Sequence, residues 1–402
     1  MKSHTNKIVK WDYFVAVLFL ATSGAVFWHG MSPAFAFSTF FLVSLINSIC
    51  VSKDFGRRKN VSKFFIVIVV SLCLLNYLVN NVQYKDNSTF GYIVCLLGAY
   101  FVITRYDFYY FRSLLTNVVY VITLIGLPCF LLSELDLLTY YTVSERSGGV
   151  SSLFLIYNFG NPLLFHRYSG IWHEPGACQV IMNTVLWLHF DKFVNWRWEK
   201  GDLKKIFVIL LGSLMTMSTG GYFVLMMLSV AITTKIKIKS RYKFFIYSLL
   251  LIFVVGAIYT MYNSPVIQNK LFDADGESIS KMERFSDINA LWRMTLEKPF
   301  LGYGLGSVEF WQVSDKYGNT SCSCGILTYS AALGFSWMFT FLLYLWSGIS
   351  KMKMGKGAIF LFISVILMQF NEKFIEYPIT SLFIFYFASY NININKSYLT
   401  NK

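Results

Sequence analysis

The most regular feature of the chain is a succession of apolar segments, each about as long as a membrane-spanning helix. A span of the hydrocarbon layer needs roughly 20 apolar residues. Charged residues, Gly and Pro separate the apolar runs and predict about twelve spans. These lie near 11–30, 34–50, 64–80, 90–104, 114–133, 175–190, 205–218, 220–234, 244–262, 324–347, 357–371 and 378–390. Because a backbone inside the bilayer must satisfy its own hydrogen bonds, we predict that all of them are helical.

The charged residues between the spans divide unevenly between the two faces. If the amino terminus is cytoplasmic, most of the 35 basic residues lie in cytoplasmic segments, and most of the 21 acidic residues lie on the other face. An excess of Lys and Arg in cytoplasmic loops is typical of membrane proteins. The alternation requires an even number of spans, so we predict that both termini are cytoplasmic.

The composition supports a membrane protein and excludes several other classes. Hydrophobic residues make up 55% of the chain and charged residues 14%, whereas soluble domains carry roughly 25% charged residues. This excludes a soluble cytosolic enzyme, a disordered protein and a disulfide scaffold. The net charge of +14 follows from the cytoplasmic loops, so we expect no nucleic-acid partner. We predict a single all-α integral membrane domain over residues 1–402.

Two connections on the side away from the cytoplasm are long, 134–174 and 263–323. Long connections of this kind are usually functional, and we expect short helices in each. The spans contain few ionisable groups, so we expect any chemistry at the outer membrane surface rather than at mid-depth. The stretch from Glu283 to Leu296 is amphipathic. The apolar residues expected on one of its faces are Phe285, Ile288, Ala290, Leu291 and Met294.

The first candidate site is the run from Arg167 to Gly176 at the end of the first long connection. Pro175 suits the first turn of a helix, and a carboxylate at Glu174 favours the positive helix end. In one interpretation, Glu174 only caps the helix and Arg167 lies at the membrane interface. In the other, Arg167 binds phosphate and Glu174 or His173 accepts a proton, since a half-buried carboxylate has a raised pKa.

The second candidate site combines arginines with a glycine-rich segment. Arg284 and Arg293 precede the run from Lys298 to Ser307, which contains Gly302 and Gly304. Closely spaced glycines let backbone amides approach an anion or another part of the chain. A guanidinium group can bind a diphosphate bidentately. The alternative is a glycine-rich turn beside arginines that reach lipid headgroups.

The remaining features carry less chemistry. The run from Ser218 to Gly221 predicts a tight hairpin in which glycine supplies unusual backbone angles. The acidic residues and cysteines show no convincing metal-ligand spacing. We therefore expect no metal and no cofactor.

Together these motifs resemble the O-antigen polymerase and ligase superfamily, specifically its Wzy-type polymerases. The run from Arg167 to Pro175 is similar to the end of the first large loop in that family. Arg284 precedes a Pro-x-x-Gly-x-Gly turn containing Gly302 and Gly304, and Arg293 stands before Gly304 at a spacing described for polymerases. The first loop lacks such an Arg–Gly pair. The architecture resembles GT-C glycosyltransferases, with two large periplasmic loops.

The resemblance implies an activity, which is glycosyl transfer between undecaprenyl-diphosphate-linked oligosaccharide units at the periplasmic face of the bacterial inner membrane. Glu174, or else His173, would be the base. Arg167, Arg284 and Arg293 would contact the diphosphate, and Gly302 and Gly304 would support the loop. Expected partners are the lipid-linked oligosaccharide, membrane lipid and a chain-length regulator protein. Aromatic residues that could stack on sugars are Tyr168, Trp172, Trp292, Tyr303 and Trp311.

Two alternatives stay open at this point. The first is a ligase-type transferase. Ligases of the superfamily carry a catalytic His late in the second loop, and this sequence has no His after His189, which favours a polymerase. The second is a non-enzymatic flippase or transporter of lipid-linked oligosaccharide, for which cations would be expected in a central cavity rather than in loops.

Overall fold

The structure is a computed structural model of the chain. It describes residues 2–26, 33–50, 63–80, 83–106, 108–135, 137, 141–144, 150–153, 157–158, 167–195, 198–235, 259, 279–318, 322, 324–352 and 354–389. The helices before the first long connection are α1 Lys2–Thr22, α2 Pro33–Cys50, α3 Lys63–Asn80, α4 Ser88–Arg105 and α5 Phe108–Glu134. Those between the two long connections are α6 Pro175–Leu188, α7 Phe190–Asn195, α8 Asp202–Met215 and α9 Thr219–Lys235. The later helices are α10 Ile279–Glu297, α11 Val308–Lys316, α12 Gly325–Ser350, α13 Gly357–Asn371 and α14 Pro378–Ser389.

The predicted helical class is confirmed for the described residues outside the first long connection. Eleven of the twelve predicted spans overlap a helix, and the segment 244–262 lies outside the described residues apart from Tyr259. By length and apolar composition, α3, α4, α5 and α12 could cross a membrane. Helices α6 and α8 have 14 residues each, which is about 21 Å of helix against a layer of roughly 30 Å. The twelve crossings and the cytoplasmic termini therefore remain predictions.

The first long connection contains a small antiparallel sheet among its described residues, where we had expected helices. The sheet comprises β1 Tyr141–Ser144, β2 Val150–Leu153 and β3 Tyr157–Asn158, in the order β1-β2-β3. Tyr141 pairs with Ser152. The run is rich in Thr, Val, Ser and Tyr, and β-branched and aromatic residues fit a pleated surface better than a helix. The second connection contains α10 and α11, as expected.

Helix α6 lies at the centre of the packing. Every residue from Gly176 to Leu188 is buried, and α6 contacts α5, α8, α9 and α13. A helix that is buried on every side is held in place by the helices that surround it. Its first turn is therefore held firmly by the helices that pack around it.

Helix α12 is broken near its amino-terminal end. Gly334 has φ 77° and ψ 176°, outside the helical range. A Cβ atom at this position would lie 2.2 Å from the carbonyl oxygen of Phe300, so only glycine allows the approach. The break lets the segment that follows α10 pack against the backbone of α12.

Candidate functional site

The segment 167–174 is held between the ends of two helices. Near its start, the amide of Tyr168 donates to the carbonyl of Met215 at the end of α8 (3.1 Å). Near its end, the amide of His173 donates to the carbonyl of Gly24 just after α1 (3.1 Å). Gly24 has φ +94°, and a Cβ there would lie 3.2 Å from Nδ1 of His173. These backbone contacts fix the segment just before α6 begins.

His173 and Glu174 form a hydrogen-bonded pair. The ring Nδ1 of His173 lies 2.9 Å from the carbonyl oxygen of Gly24, and its Nε2 lies 3.1 Å from Oε1 of Glu174. A carbonyl oxygen can only accept, so Nδ1 carries a hydrogen. The second contact also needs a hydrogen between nitrogen and oxygen. The pair therefore holds one shared proton, as an imidazolium with a carboxylate or as a neutral ring with a carboxylic acid.

The surroundings favour the charged form of His173. Burial opposes protonation, but the hydrogen bond and charge of Glu174, the bond to Gly24 and the charge of Glu376 outweigh it. The pKa of His173 is consequently raised above its ordinary value. The ring of His173 and the carboxylate of Glu174 are therefore two groups between which a proton can pass.

Glu174 stands at the start of α6, as the sequence predicts. The helix begins at Pro175, and Glu174 is the N-cap residue with extended backbone angles. Its side chain makes no capping hydrogen bond to the helix. Glu174 therefore has the N-cap position that the capping interpretation expects, but its Oε1 bonds to His173 rather than to a helix amide.

Arg167 is anchored at the turn between α8 and α9. Its Nε donates to the carbonyl of Thr216 at 3.0 Å. The side chain of Arg167 is half-buried. A guanidinium group carries five N–H donors in a planar fork, a shape that suits the oxygens of a phosphate.

The turn between α8 and α9 differs from the hairpin that we expected. The positive backbone angle belongs to Met217 (φ 45°), whereas Gly220 and Gly221 lie in the first turn of α9. A Cβ on Gly220 would lie 2.1 Å from Nδ2 of Asn371. The glycine makes room for a neighbouring segment rather than supplying an unusual angle.

That neighbouring segment, residues 371–377 from the last residue of α13 to the start of α14, is the part of the site that sequence reasoning missed. It packs against three helix starts through glycines. A Cβ on Gly176 in α6 would lie 1.7 Å from Oε1 of Glu372, and one on Gly325 in α12 would lie 3.1 Å from the carbonyl oxygen of Glu372. Gly220 in α9 faces Asn371 in the same way. Helix starts carry partial positive charge, which suits the carboxylate of Glu372.

Two charged residues of this connection lie close together. Nζ of Lys373 is 3.8 Å from Oε2 of Glu376, and the hydroxyl of Tyr329 donates to the same oxygen at 3.1 Å. The charge of Glu376 raises the pKa of Lys373 against the effect of burial. Glu376 also acts on His173, so the connection and the His173–Glu174 pair share one electrostatic environment.

A signal for this connection was present in the sequence. Three ionisable residues, Glu372, Lys373 and Glu376, occur within five positions between two apolar runs. Charged residues at the end of a short membrane helix are readily interpreted as interfacial. Only their approach to residue 173, about two hundred positions earlier in the chain, gives them a place in the site.

The glycine-rich segment is used for packing against helices. The amide of Gly302 donates to the carbonyl of Lys298 at 3.1 Å, and the amide of Gly304 donates to the carbonyl of Ala332 at 2.7 Å. The amide groups of Asn76 and Asn80 in α3 donate to carbonyls of the same segment. These contacts fix the segment against α3 and α12. A supporting role for Gly302 and Gly304 in the reaction stays a prediction.

Of the two arginines of the second connection, the structure describes the side chain of Arg293 but only the backbone of Arg284. Arg293 is exposed on α10 and lies near the end of α11. There a hydrogen bond to Glu297 raises the pKa of Tyr317, and the charge of Arg293 partly offsets that increase. Arg284 also lies in α10, but its side chain is not among those described. Their proposed contact with diphosphate remains a prediction.

Asp86 connects the glycine-rich segment with the charged connection. Its Oδ2 accepts from Nε1 of Trp311 at 3.3 Å, and a Cβ on Gly306 would lie 2.1 Å from its Oδ1. The charge of Asp86 also contributes to the raised pKa of Lys373. The second long connection is therefore linked to Lys373 through a loop between α3 and α4.

Three of the five aromatic candidates for sugar stacking are unsuited to it. Tyr168 and Trp172 are wholly buried and Tyr303 nearly so, because their rings pack into the core rather than facing solvent. Trp292 is exposed and Trp311 half-buried. The expected apolar face of α10 also needs correction, since Phe285 is exposed while Ala290, Leu291 and Met294 are buried.

Within the described part of the chain, no group of three or more His, Cys, Asp or Glu side chains is placed to hold a metal ion.

Comparison with known proteins gives a match to one family model over part of the chain. No curated protein matches the chain. Residues 206–322 match the family model described as O-antigen ligase, a range that includes α10 and the glycine-rich segment. The match covers less than half of the chain, and this similarity to the O-antigen ligase family does not separate a polymerase from a ligase.

Proposed function

We propose that the protein polymerises oligosaccharide repeat units linked to undecaprenyl diphosphate. The reaction takes place at the periplasmic face of the bacterial inner membrane, with a chain-length regulator as a partner protein. The observation that carries the proposal is the His173–Glu174 pair (3.1 Å) at the start of a buried helix, within a short sequence distance of Arg167. It combines a proton acceptor with a group suited to an oxyanion, the two requirements of transfer from a diphosphate donor.

The proposed step is a displacement at the anomeric carbon of the donor sugar. The acceptor hydroxyl oxygen attacks that carbon, and the bond from carbon to the diphosphate oxygen breaks. The electron pair of that bond leaves with undecaprenyl diphosphate, and the hydroxyl proton passes to Glu174. Once Glu174 is neutral, the imidazolium of His173 has lost a counter-charge and gives its proton to water more easily.

The leaving diphosphate needs cations. Arg167 is our first assignment, with Arg284 and Arg293 on α10 as further contacts. Lys373 is an addition from the structure, because it lies in the same electrostatic environment as His173 through Glu376. Arginine binds phosphate oxygens in pairs, whereas lysine acts as a point charge. Replacing Arg167 by Lys should therefore retain part of the activity, and replacing it by Gln should retain less.

A ligase-type transferase is the second candidate, because the matched family is described by that activity. The absence of any His after His189 in the sequence favours the polymerase, since ligases of the superfamily use a His in the second loop. Cells lacking the gene distinguish the two. If lipid A-core carries a single repeat unit and the ladder of longer chains is lost, the protein is a polymerase. If no repeat unit reaches the core, the polymerase proposal fails.

Complementation of such cells tests the residues. Glu174→Gln and Arg167→Gln should restore protein to the membrane but not the polysaccharide ladder. Glu309→Gln is the matched control, because Glu309 is a partly exposed carboxylate paired with Lys298 at 2.8 Å and has no part in the proposed step. A normal ladder with Glu174→Gln would remove Glu174 as the base. A lost ladder with Glu309→Gln would show that the assay reports folding rather than chemistry.

A further inference from the structure

From Phe285 onward, the exposed surface of α10 carries large apolar side chains beside the polar Asn289, Arg293 and Glu297. Phe285, Trp292 and Leu296 lie on one side of the helix, because positions seven and eleven residues apart face nearly the same way. Phe285 is 72% exposed, and Phe300, just after the helix, is 76% exposed. The opposite side, with Ala290, Leu291 and Met294, is buried. An amphipathic helix in water would present polar residues on the side that faces away from the protein.

Helix α10 cannot be a membrane span itself. It carries six charged residues in the sequence ISKMERFSDINALWRMTLE, and it is absent from the helices that are apolar enough to cross. Large apolar side chains such as Trp, Phe and Leu that stay exposed on a charged helix are typical of helices that lie in the plane of a membrane surface.

The apolar side of α10 continues onto a spanning helix. The rings of Trp292 and Phe335 are 5.7 Å apart, and those of Phe335 and Phe339 are 6.0 Å apart. Phe339 and Leu343 are among the exposed side chains of α12, which is one of the candidate spans. The exposed side of a span faces lipid, so the same lipid layer extends along this row of rings to Trp292.

The position of the exposed Arg293 beside this row of rings is the one expected at the depth of the lipid headgroups. Arg293 is exposed and lies about 100° around the helix from Trp292. Arginine beside an apolar surface extends toward lipid phosphates while its stem remains in contact with the apolar groups. Tryptophan is enriched at the same depth.

We propose that α10 is a membrane-surface helix, whose side formed by Phe285, Trp292, Leu296 and Phe300 is immersed in the outer leaflet of the bilayer. The occupant of this surface is the acyl-chain region of lipid, rather than another protein or water. This inference does not depend on the reaction proposed above.

Tryptophan fluorescence of the full chain reconstituted in phospholipid vesicles tests it. Subtracting the emission of Trp292→Phe from that of the unaltered chain isolates Trp292. With lipids brominated on the acyl chains near the headgroup, we expect this emission to fall about twofold or more, since the helix would lie within roughly 10 Å of the acyl boundary. Aqueous acrylamide should have little effect.

Trp311 is the matched control. It lies in the same long connection, but its indole donates to Asp86 and Lys85 lies 5.6 Å from its ring. The emission of Trp311, obtained by subtracting the emission of Trp311→Phe from that of the unaltered chain, should be unaffected by brominated lipid. A second probe, Leu296→Trp in the Trp292→Phe variant, reports on the same side of α10 if Trp292 itself emits weakly.

Two outcomes would overturn the inference. Emission quenched by acrylamide and not by brominated lipid would show that the surface faces water. Emission protected from both would show that another protein, or a second copy of this chain, covers it. Quenching by brominated lipid at both probe positions, without quenching at Trp311, would support the membrane-surface helix.

Discussion

Replacing Gly302 by Ala tests how tightly the glycine-rich segment is packed against α12. Gly302 has φ +66°, and a Cβ there would lie 2.4 Å from the carbonyl carbon of Ala332. The close atoms belong to backbone, which cannot rotate away as a side chain can. The substitution therefore has two costs, one for the backbone conformation and one for separating the segment from the break in α12.

The magnitude follows from those two parts. A left-handed conformation costs an L-residue about 1–2 kcal/mol, and forcing packed backbone apart costs about 1–3 kcal/mol. We expect a total of about 2–5 kcal/mol for Gly302→Ala. Gly201→Ala is the matched control, because Gly201 has φ +89° and nothing within 4 Å of its Cβ position. It should show only the first cost, about 1–2 kcal/mol.

Thermal unfolding of the detergent-solubilised protein measures the difference. With an unfolding entropy of about 2.1 cal/mol/K per residue over 402 residues, 1 kcal/mol corresponds to about 1.2 °C in Tm. We expect a decrease of about 1–2 °C for Gly201→Ala and about 2–6 °C for Gly302→Ala. Equal decreases in the two variants would refute the close packing of the segment on α12.

Three further outcomes follow from the contacts. The pKa of His173 is raised, so the stability from its pair with Glu174 should be fully present below the ordinary histidine pKa and lost as pH rises through the raised value. A plot of Tm against pH should show this decline, and the variant Glu174→Gln should not show it. Arg112 is 5% exposed and bonds to Asp191 at 2.6 Å, so Arg112→Ala should lower stability by about 2 kcal/mol, and an unchanged denaturation curve would contradict the pair's importance. The hydroxyl of Ser307 caps α11 by accepting from an amide at 2.9 Å, and Ser307→Ala should cost about 1 kcal/mol in the same measurement, whereas Ser307→Thr, which keeps the hydroxyl, should cost less.

The local parts of the site could be predicted from the sequence because local rules govern them. Pro at the first position of a helix needs no backbone hydrogen, so the start of α6 at Pro175 follows from a single residue. His173 and Glu174 are neighbours in the chain, so their closeness needed no knowledge of the fold. The positions of the apolar helices likewise follow from the length of each run.

The long-range parts of the site were decided by packing. The approach of Glu376 to His173 depends on the starts of α6, α9 and α12 packing against residues 371–377, with Gly176, Gly220 and Gly325 making room. No sequence spacing encodes this, because the residues are far apart along the chain. In the same way, the glycine-rich segment was expected to approach either an anion or another part of the chain, and only the structure shows that amides of Tyr303 and Gly304 bond to α12.

What the sequence determined by itself is therefore the class of the protein, its helices and the adjacent residues of the candidate site. What only the tertiary structure decided is which apolar surfaces face protein. In water, an apolar side of a helix can be assigned to the core, but in a membrane both the core and the lipid are apolar. The pattern of α10 could not show that Phe285 faces outward while Met294 faces inward, because burial against α12 and exposure to lipid require the same kind of side chain.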